Sequence, residues 1–93
     1  MTESQLTRRI ICAIRRQYPL AWLYKTADKF TWGIPDILML NRRRFYALEI
    51  KLSGKKPTPI QVYTIKEINQ AGGFACVVTS IDEALYAIKK GGN

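Results

Sequence analysis

Residues 33–51 read GIPDILMLNRRRFYALEIK, and the fold depends on how this stretch doubles back. From Asp36 the chain runs Ile37-Leu38-Met39-Leu40, apolar at every position, then Asn41-Arg42-Arg43-Arg44, then Phe45 to Leu52. Two apolar arms around a short polar turn predict a β-hairpin. In the second arm, strand alternation puts Tyr46, Leu48, Ile50 and Leu52 on one face and Ala47, Glu49 and Lys51 on the other. A turn centred between Arg42 and Arg43, whether of two or four residues, places Asp36 directly opposite Glu49. Continuous apolarity in the first arm predicts a strand covered on both faces, with helices on both sides of the sheet.

Working outward, residues 2–18 predict a helix. Thr2 and Gln5 form a capping box at its start, and it closes before Pro19. Leu6, Ile10, Ala13 and Ile14 share one stripe and Arg8, Arg9, Arg15 and Arg16 fall elsewhere, while Glu3 lies in line with the apolar stripe, an unusual place for an acid. Leu20 to Lys25 predicts a first strand, followed by a polar loop through Thr26, Ala27, Asp28 and Lys29 up to Gly33 and Pro35. After the hairpin, residues 54–57 form a basic loop that includes Lys55 and Lys56. Thr58 caps a helix with Pro59 at its first position and Gln61 as reciprocal partner, running to about Ala71 and stopped by Gly72 and Gly73. Phe74 to Thr79 predicts a short buried strand, and Ser80 with Glu83 opens a last helix that ends at the Gly91-Gly92-Asn93 tail. The result is one α/β domain over residues 1–93, in the order helix, three strands, helix, strand, helix.

Composition narrows the chemistry. Fifteen Lys and Arg against seven Asp and Glu give a formal net charge of +8, which favours a polyanionic partner. The N-terminus lacks a basic segment followed by an apolar stretch, and no apolar run is long enough to span a bilayer, so a cytosolic protein is expected. Cys12 and Cys76 sit in apolar segments without metal-ligand spacing and read as small buried hydrophobes in a reducing compartment. The chain has no histidine, which excludes Ser-His and Cys-His catalysis, His-ligated zinc and imidazole bases. Chemistry must rest on carboxylates, lysines and a bound cation.

Cross-strand neighbours have Cβ atoms about 4.5 to 5.5 Å apart, so Asp36 and Glu49 can share one divalent cation at about 2.1 Å from their oxygens. Two such carboxylates repel unless a cation or proton intervenes, and an all-oxygen site suits Mg²⁺ or Mn²⁺. Lys51, emerging beside Glu49, can orient an attacking water and stabilise charge on a phosphate. An isolated Glu-x-Lys is weak evidence of catalysis and is more commonly a solvated strand face with an opposite-charge pair. Its pairing with Pro35-Asp36 across a hairpin in a basic chain makes phosphodiester hydrolysis the stronger reading.

With Gly33-Ile34-Pro35-Asp36-Ile37-Leu38, Leu48-Glu49-Ile50-Lys51, Pro59-Ile60-Gln61 and Ala71-Gly72-Gly73, the chain resembles the virus-type replication-repair nuclease (VRR-NUC) domain of the PD-(D/E)XK nuclease superfamily over nearly its whole length. The resemblance implies a restriction-endonuclease-like αβββαβα fold, a mixed four-stranded sheet covered by helices on both faces. It implies Asp36, Glu49 and the Ile50 backbone carbonyl as ligands of Mg²⁺ (or Mn²⁺), and Lys51 as the catalytic lysine. Glu3 would be the family's acidic residue on the first helix, where a carboxylate is also explained by the helix dipole. Gln61 would line the site, although it also suffices as a cap. Stand-alone phage members resemble Holliday-junction resolvases and look like homodimers, so the resemblance also implies branched DNA and a second copy as partners.

Two rivals share the charge pattern. A non-catalytic DNA-binding module would use Arg8, Arg15, Arg16, Arg42, Arg43, Arg44, Lys55 and Lys56 for phosphate contacts, roles these cations also fill in a nuclease. The Asp36, Glu49 and Lys51 set argues against it. A membrane-surface protein would use the first helix, whose apolar stripe is instead required to cover the sheet.

Overall fold

The computed structural model describes residues 1–27 and 32–92; Asp28 and Lys29 of the expected polar loop, and Asn93 of the tail, lie outside the described residues. Seven elements follow in the order α1 (Glu3–Gln17), β1 (Trp22–Lys25), β2 (Ile37–Asn41), β3 (Arg44–Ile50), α2 (Pro59–Gln70), β4 (Phe74–Val78) and α3 (Ile81–Gly91). The sheet has strand order β1-β2-β3-β4, antiparallel through β3 and parallel between β3 and β4. Helix α2 supplies the crossover that a parallel pair needs.

The hairpin has the expected register. Ile37 pairs with Leu48, Leu38 with Ala47, Met39 with Tyr46, Leu40 with Phe45 and Asn41 with Arg44. Arg42 and Arg43 form the two-residue turn, with φ of 51° and 71°. Positive φ at both positions defines the turn whose twist matches paired strands.

One face of the sheet carries the core. Leu6, Ile10 and Ile14 of α1 and Ala84, Ala87 and Ile88 of α3 close over Ile37, Met39, Tyr46, Leu48, Ile50 and Val78. Alternation delivers these strand residues to one side, and each large aliphatic there contributes about 1.5–3 kcal/mol by burial. Helix α2 covers the other face at β3 and β4, where the Asn69 side chain brackets Ala75 by accepting from its N–H at 2.7 Å and donating to its carbonyl at 2.9 Å.

Several boundaries and burials differ from the sequence expectation. Strand β1 begins at Trp22 rather than Leu20, because the Ala21 N–H turns back to the Tyr18 carbonyl and leaves Leu20 exposed. Helix α3 continues through Gly91, whose missing Cβ would lie 2.7 Å from the Phe74 ring, so that packing rather than helix termination explains this glycine. The first hairpin arm is incompletely covered, with Leu40 48% exposed, since α2 lies over β3 and β4 and leaves the β1–β2 side of that face open. Cys12 is exposed and Cys76 half-buried, because Cys12 falls off the Leu6–Ile10–Ile14 stripe. Burial raises the Cys76 thiol pKa, with Glu83 adding to the shift.

Gly33 fixes the approach to β2. Its φ is +65°, and a Cβ there would lie 2.7 Å from the Ile60 carbonyl oxygen of α2. Both the left-handed backbone and the helix contact exclude a side chain. Gly33→Ala is expected to destabilise the protein by about 2 kcal/mol or more, measurable as a lower urea midpoint at unchanged m-value.

Candidate active site

Beyond the start of β2, Asp36 is held from three sides. Its Oδ2 accepts the Ile50 N–H at 2.8 Å, and its backbone carbonyl accepts the Thr26 N–H at 2.9 Å. The buried Thr26 hydroxyl donates to the Pro35 carbonyl at 2.8 Å. Thr26 therefore braces the Pro35–Asp36 segment from the end of β1. No sequence signal singled it out, because a threonine in a polar loop is ordinary.

Glu49 lies on β3 directly beside Asp36 and is only 2% exposed. The Lys51 Nζ is 3.7 Å from its Oε2, while its buried Oε1 has no hydrogen-bond partner among the described residues. Burial pushes the Glu49 pKa up to about 8, helped by the charge of Asp36 and a hydrogen bond between the two carboxyls; Lys51 opposes the shift and Glu3 adds to it. The pair thus holds a proton near neutrality in the absence of a cation.

A hollow of about 200 Å³ is lined by Glu3, Ile34, Asp36, Glu49, Lys51, Thr58 and Gln61. All five side chains expected at the catalytic centre meet there, from α1, the β2–β3 hairpin and the start of α2. Glu3 reaches it because the apolar stripe of α1 points at the sheet and Glu3 lies one turn before Leu6 and Thr7. Gln61 both lines the hollow and caps α2: its Oε1 accepts the Thr58 N–H at 2.8 Å and its N–H donates to Thr58 Oγ1 at 3.4 Å. Thr58 and Ile34 join the lining, and proximity to the two carboxylates was not readable from their sequence positions.

The donor set suits a hard cation: two adjacent carboxylates, one oxygen unsatisfied and buried, and no imidazole or thiolate in the lining. Among the described residues no three His, Cys, Asp or Glu side chains form a ready metal cage. Glu3 therefore stands near the pair rather than completing a cage with it.

The basic residues divide into separate groups. Lys55 and Lys56 are exposed between β3 and α2, close in sequence to the lining residues Lys51 and Thr58. Arg8 and Arg16 line a second hollow along α1 with Cys12, and Arg15 is exposed on the same helix. Arg42, Arg43 and Arg44 sit at the hairpin turn, at the opposite end of the sheet. Five strand residues separate that turn from Asp36, about 17 Å at roughly 3.4 Å per residue.

The raised Glu49 pKa carries a stability prediction. Its favourable contribution is complete below the ordinary glutamate value of 4.5 and is lost as pH rises through about 8. In EDTA, the melting temperature should therefore fall between about pH 4.5 and 8. Glu49→Gln should flatten that slope. An equal slope in the variant, followed by calorimetry across the range, would assign the pH dependence to other groups.

A helix–strand–strand–strand–helix–strand–helix chain with a mixed sheet, carrying an Asp opposite a Glu-x-Lys at one end, has the restriction-endonuclease-like fold. Two solved structures share it: a "VRR_NUC domain" (TM-score 0.68, 22% identity, covering 88% of this chain and 92% of that one), and a "VRR_NUC domain protein" (TM-score 0.78, 19% identity, covering 98% and 88%). The chain therefore has the fold of a VRR-NUC domain. No family model and no curated protein matches its sequence. No described helix is long and apolar enough to cross a membrane.

Proposed function

We propose that the protein is a VRR-NUC nuclease of the stand-alone phage type, a Mg²⁺- or Mn²⁺-dependent endodeoxyribonuclease selective for branched DNA. The observation that carries this reading is the meeting of Asp36, Glu49 and Lys51 in one hollow with the Glu49 Oε1 unsatisfied. Asp36, Glu49 and the Ile50 carbonyl would hold the cation. When bound, it polarises the phosphoryl oxygen and makes water a competent nucleophile at neutral pH.

The side chains of the chain do the rest. Asp36, fixed by the Ile50 N–H, sets the position of the attacked phosphate. Lys51 is held beside Glu49, where its ammonium orients water and offsets charge building on the phosphate. Glu3 and Gln61 bound the same space and limit where water can stand. Glu3→Gln should slow cleavage without unfolding α1, whereas Thr2→Ala should remove the cap and cost about 1 kcal/mol of stability with little effect on the folded enzyme's rate. Equal rate losses from both would reduce Glu3 to a helix-end residue.

We further propose a homodimer acting in the host cytosol. Strand β1 is an edge strand whose Trp22 and Tyr24 rings stack at 6.0 Å and are each 53% exposed, next to the exposed Leu40 of β2. A two-fold pairing of this edge with its own copy would cover them and place two cutting centres on one junction. The deciding experiment offers a labelled four-way junction, linear duplex and single strand in Mg²⁺, Mn²⁺ or EDTA, with the mass in solution measured in parallel. Cation-dependent cutting, fastest on the junction, is expected. Equal cutting in EDTA, or binding with no cutting under any condition, would remove the nuclease reading.

A further inference from the structure

A groove of about 540 Å³, larger than the catalytic hollow, runs along the flank of α1 beside the start of α3. Gln5, Arg9, Cys12 and Arg16 form its stripe, spaced i, i+4, i+7 and i+11 on one side of the helix; Arg8 also lines it, and α3 supplies Ile81. The stripe is separate from Leu6, Ile10 and Ile14, which lock the same helix into the core, so the groove belongs to a rigid element. Its charge has one sign. Three guanidinium groups line it, no acidic side chain does, and among the described residues the sole ion pair is the Lys51–Glu49 contact. Of the two acids on the first turn of α3, Glu83 accepts the Thr79 N–H at 2.7 Å and the Thr79 hydroxyl at 2.9 Å, and Asp82 is exposed outside the lining. Three like charges along one groove repel, and an anion laid there relieves the repulsion.

These features select among ligands. Arg9 and Arg16 stand two turns apart, about 10.5 Å along the axis at roughly 1.5 Å per residue, too far for one small anion to bridge. A lipid surface would need an apolar stripe beside the cations, and α1 has buried its own. A nucleic-acid strand carries one phosphate per roughly 3.4 Å of duplex axis, so about three nucleotides match the separation. Between the two arginines the small Cys12 and Ala13 leave room for a sugar.

We infer that the α1–α3 groove seats the sugar–phosphate backbone of a duplex arm of the DNA substrate, with Arg8, Arg9 and Arg16 on phosphates and a deoxyribose over Cys12 and Ala13. The inference rests on the reading of DNA as substrate. The groove opens at the catalytic end of the fold: Gln5 follows Glu3 of the hollow on the first turn of α1, and α3 begins just after Val78, the strand partner of Ile50. Contact is with backbone alone, so the arm is held whatever its sequence.

The exposed Cys12 thiol is a reporter inside the groove. The test labels the full chain with N-ethylmaleimide in EDTA, with and without blunt duplex, and reads each cysteine by peptide mass. Duplex at roughly ten times its Kd should slow Cys12 labelling about tenfold, because only free protein reacts, and should leave the half-buried Cys76 unchanged. Arg9→Gln and Arg16→Gln should each lower the slope of log affinity against log salt by about 0.9 and weaken duplex binding about eightfold at roughly 0.1 M salt relative to 1 M. Lys90→Gln, the same charge change on an exposed residue outside the groove, should have a smaller effect. Unchanged Cys12 labelling with DNA fully bound, equal weakening by Arg9→Gln and Lys90→Gln, or protection of Cys12 by phosphatidylserine vesicles but not by duplex would each overturn the inference. A parent whose Cys12 is protected by duplex but which cuts no DNA in Mg²⁺ would instead sink the nuclease reading while leaving the groove in place.

Discussion

Alanine at Asp36, Glu49 or Lys51 is expected to reduce DNA cleavage by at least about a hundredfold each, because under the proposed function each removes a group that would act on the phosphate or hold the cation beside it. The three variants should differ in stability, and the difference tests the geometry. Asp36→Ala leaves the Ile50 N–H without its acceptor and should cost about 1–3 kcal/mol. Glu49→Ala opens space in a buried position but also removes a carboxyl whose charged form burial disfavours, so its melting temperature in EDTA should drop less at high pH than at low. Lys51→Ala removes a partly exposed side chain and should be close to neutral for folding. DNA affinity in EDTA should stay within a few-fold of the parent, since Arg8, Arg15, Arg16, Lys55 and Lys56 remain. Single-turnover cleavage in Mg²⁺ settles the matter: a parental rate in any one variant would remove that residue from the chemistry.

Deleting Arg43 should be more damaging still, because it attacks the register itself. The turn has two residues, and every pair from Asn41–Arg44 to Ile37–Leu48 is counted from it. Removing one forces either a one-residue slip or an irregular loop, and a slip turns the β3 side chains to the wrong faces. Tyr46, Leu48 and Ile50 would leave the core and Glu49 would no longer face Asp36. Loss of several kcal/mol of stability and of all cation-dependent cleavage is expected. Arg43→Gly should do the opposite to stability. With φ at 71°, arginine occupies a backbone region that glycine adopts without strain, so the substitution should stabilise by about 1 kcal/mol and keep cleavage. Its DNA binding should become weaker if Arg43 touches phosphate. Thermal melts, Mn²⁺ titration and junction cleavage of both variants would check the pair of expectations. A deletion variant that folds, binds Mn²⁺ and cuts like the parent would mean that this turn does not position the carboxylates.

The turn also separates two kinds of basic residue that are indistinguishable in the sequence. Lys55 and Lys56 follow β3 beyond its Glu49 end, whereas Arg42, Arg43 and Arg44 stand at the sheet's other end. A substrate touching both must extend across the protein, whose long dimension is 32 Å.

The sequence by itself determined whatever depends on neighbours along the chain or on strand parity. The capping boxes of Thr2 with Gln5 and Thr58 with Gln61 form as read, because each closes within one helical turn. The hairpin register follows from a short turn and strand parity, and with it the approach of Asp36 to Glu49. Tertiary structure alone decided what depends on how separate elements lean together. It brought Glu3 and Thr58 to the carboxylates, set Thr26 against Pro35, opened Leu40 and Cys12 to solvent, and carried α3 through Gly91. Periodicity states which face of an element is apolar, but not how far a neighbouring helix extends over that face or which distant side chain fills the gap at its end; those are fixed by side-chain volumes meeting across the core.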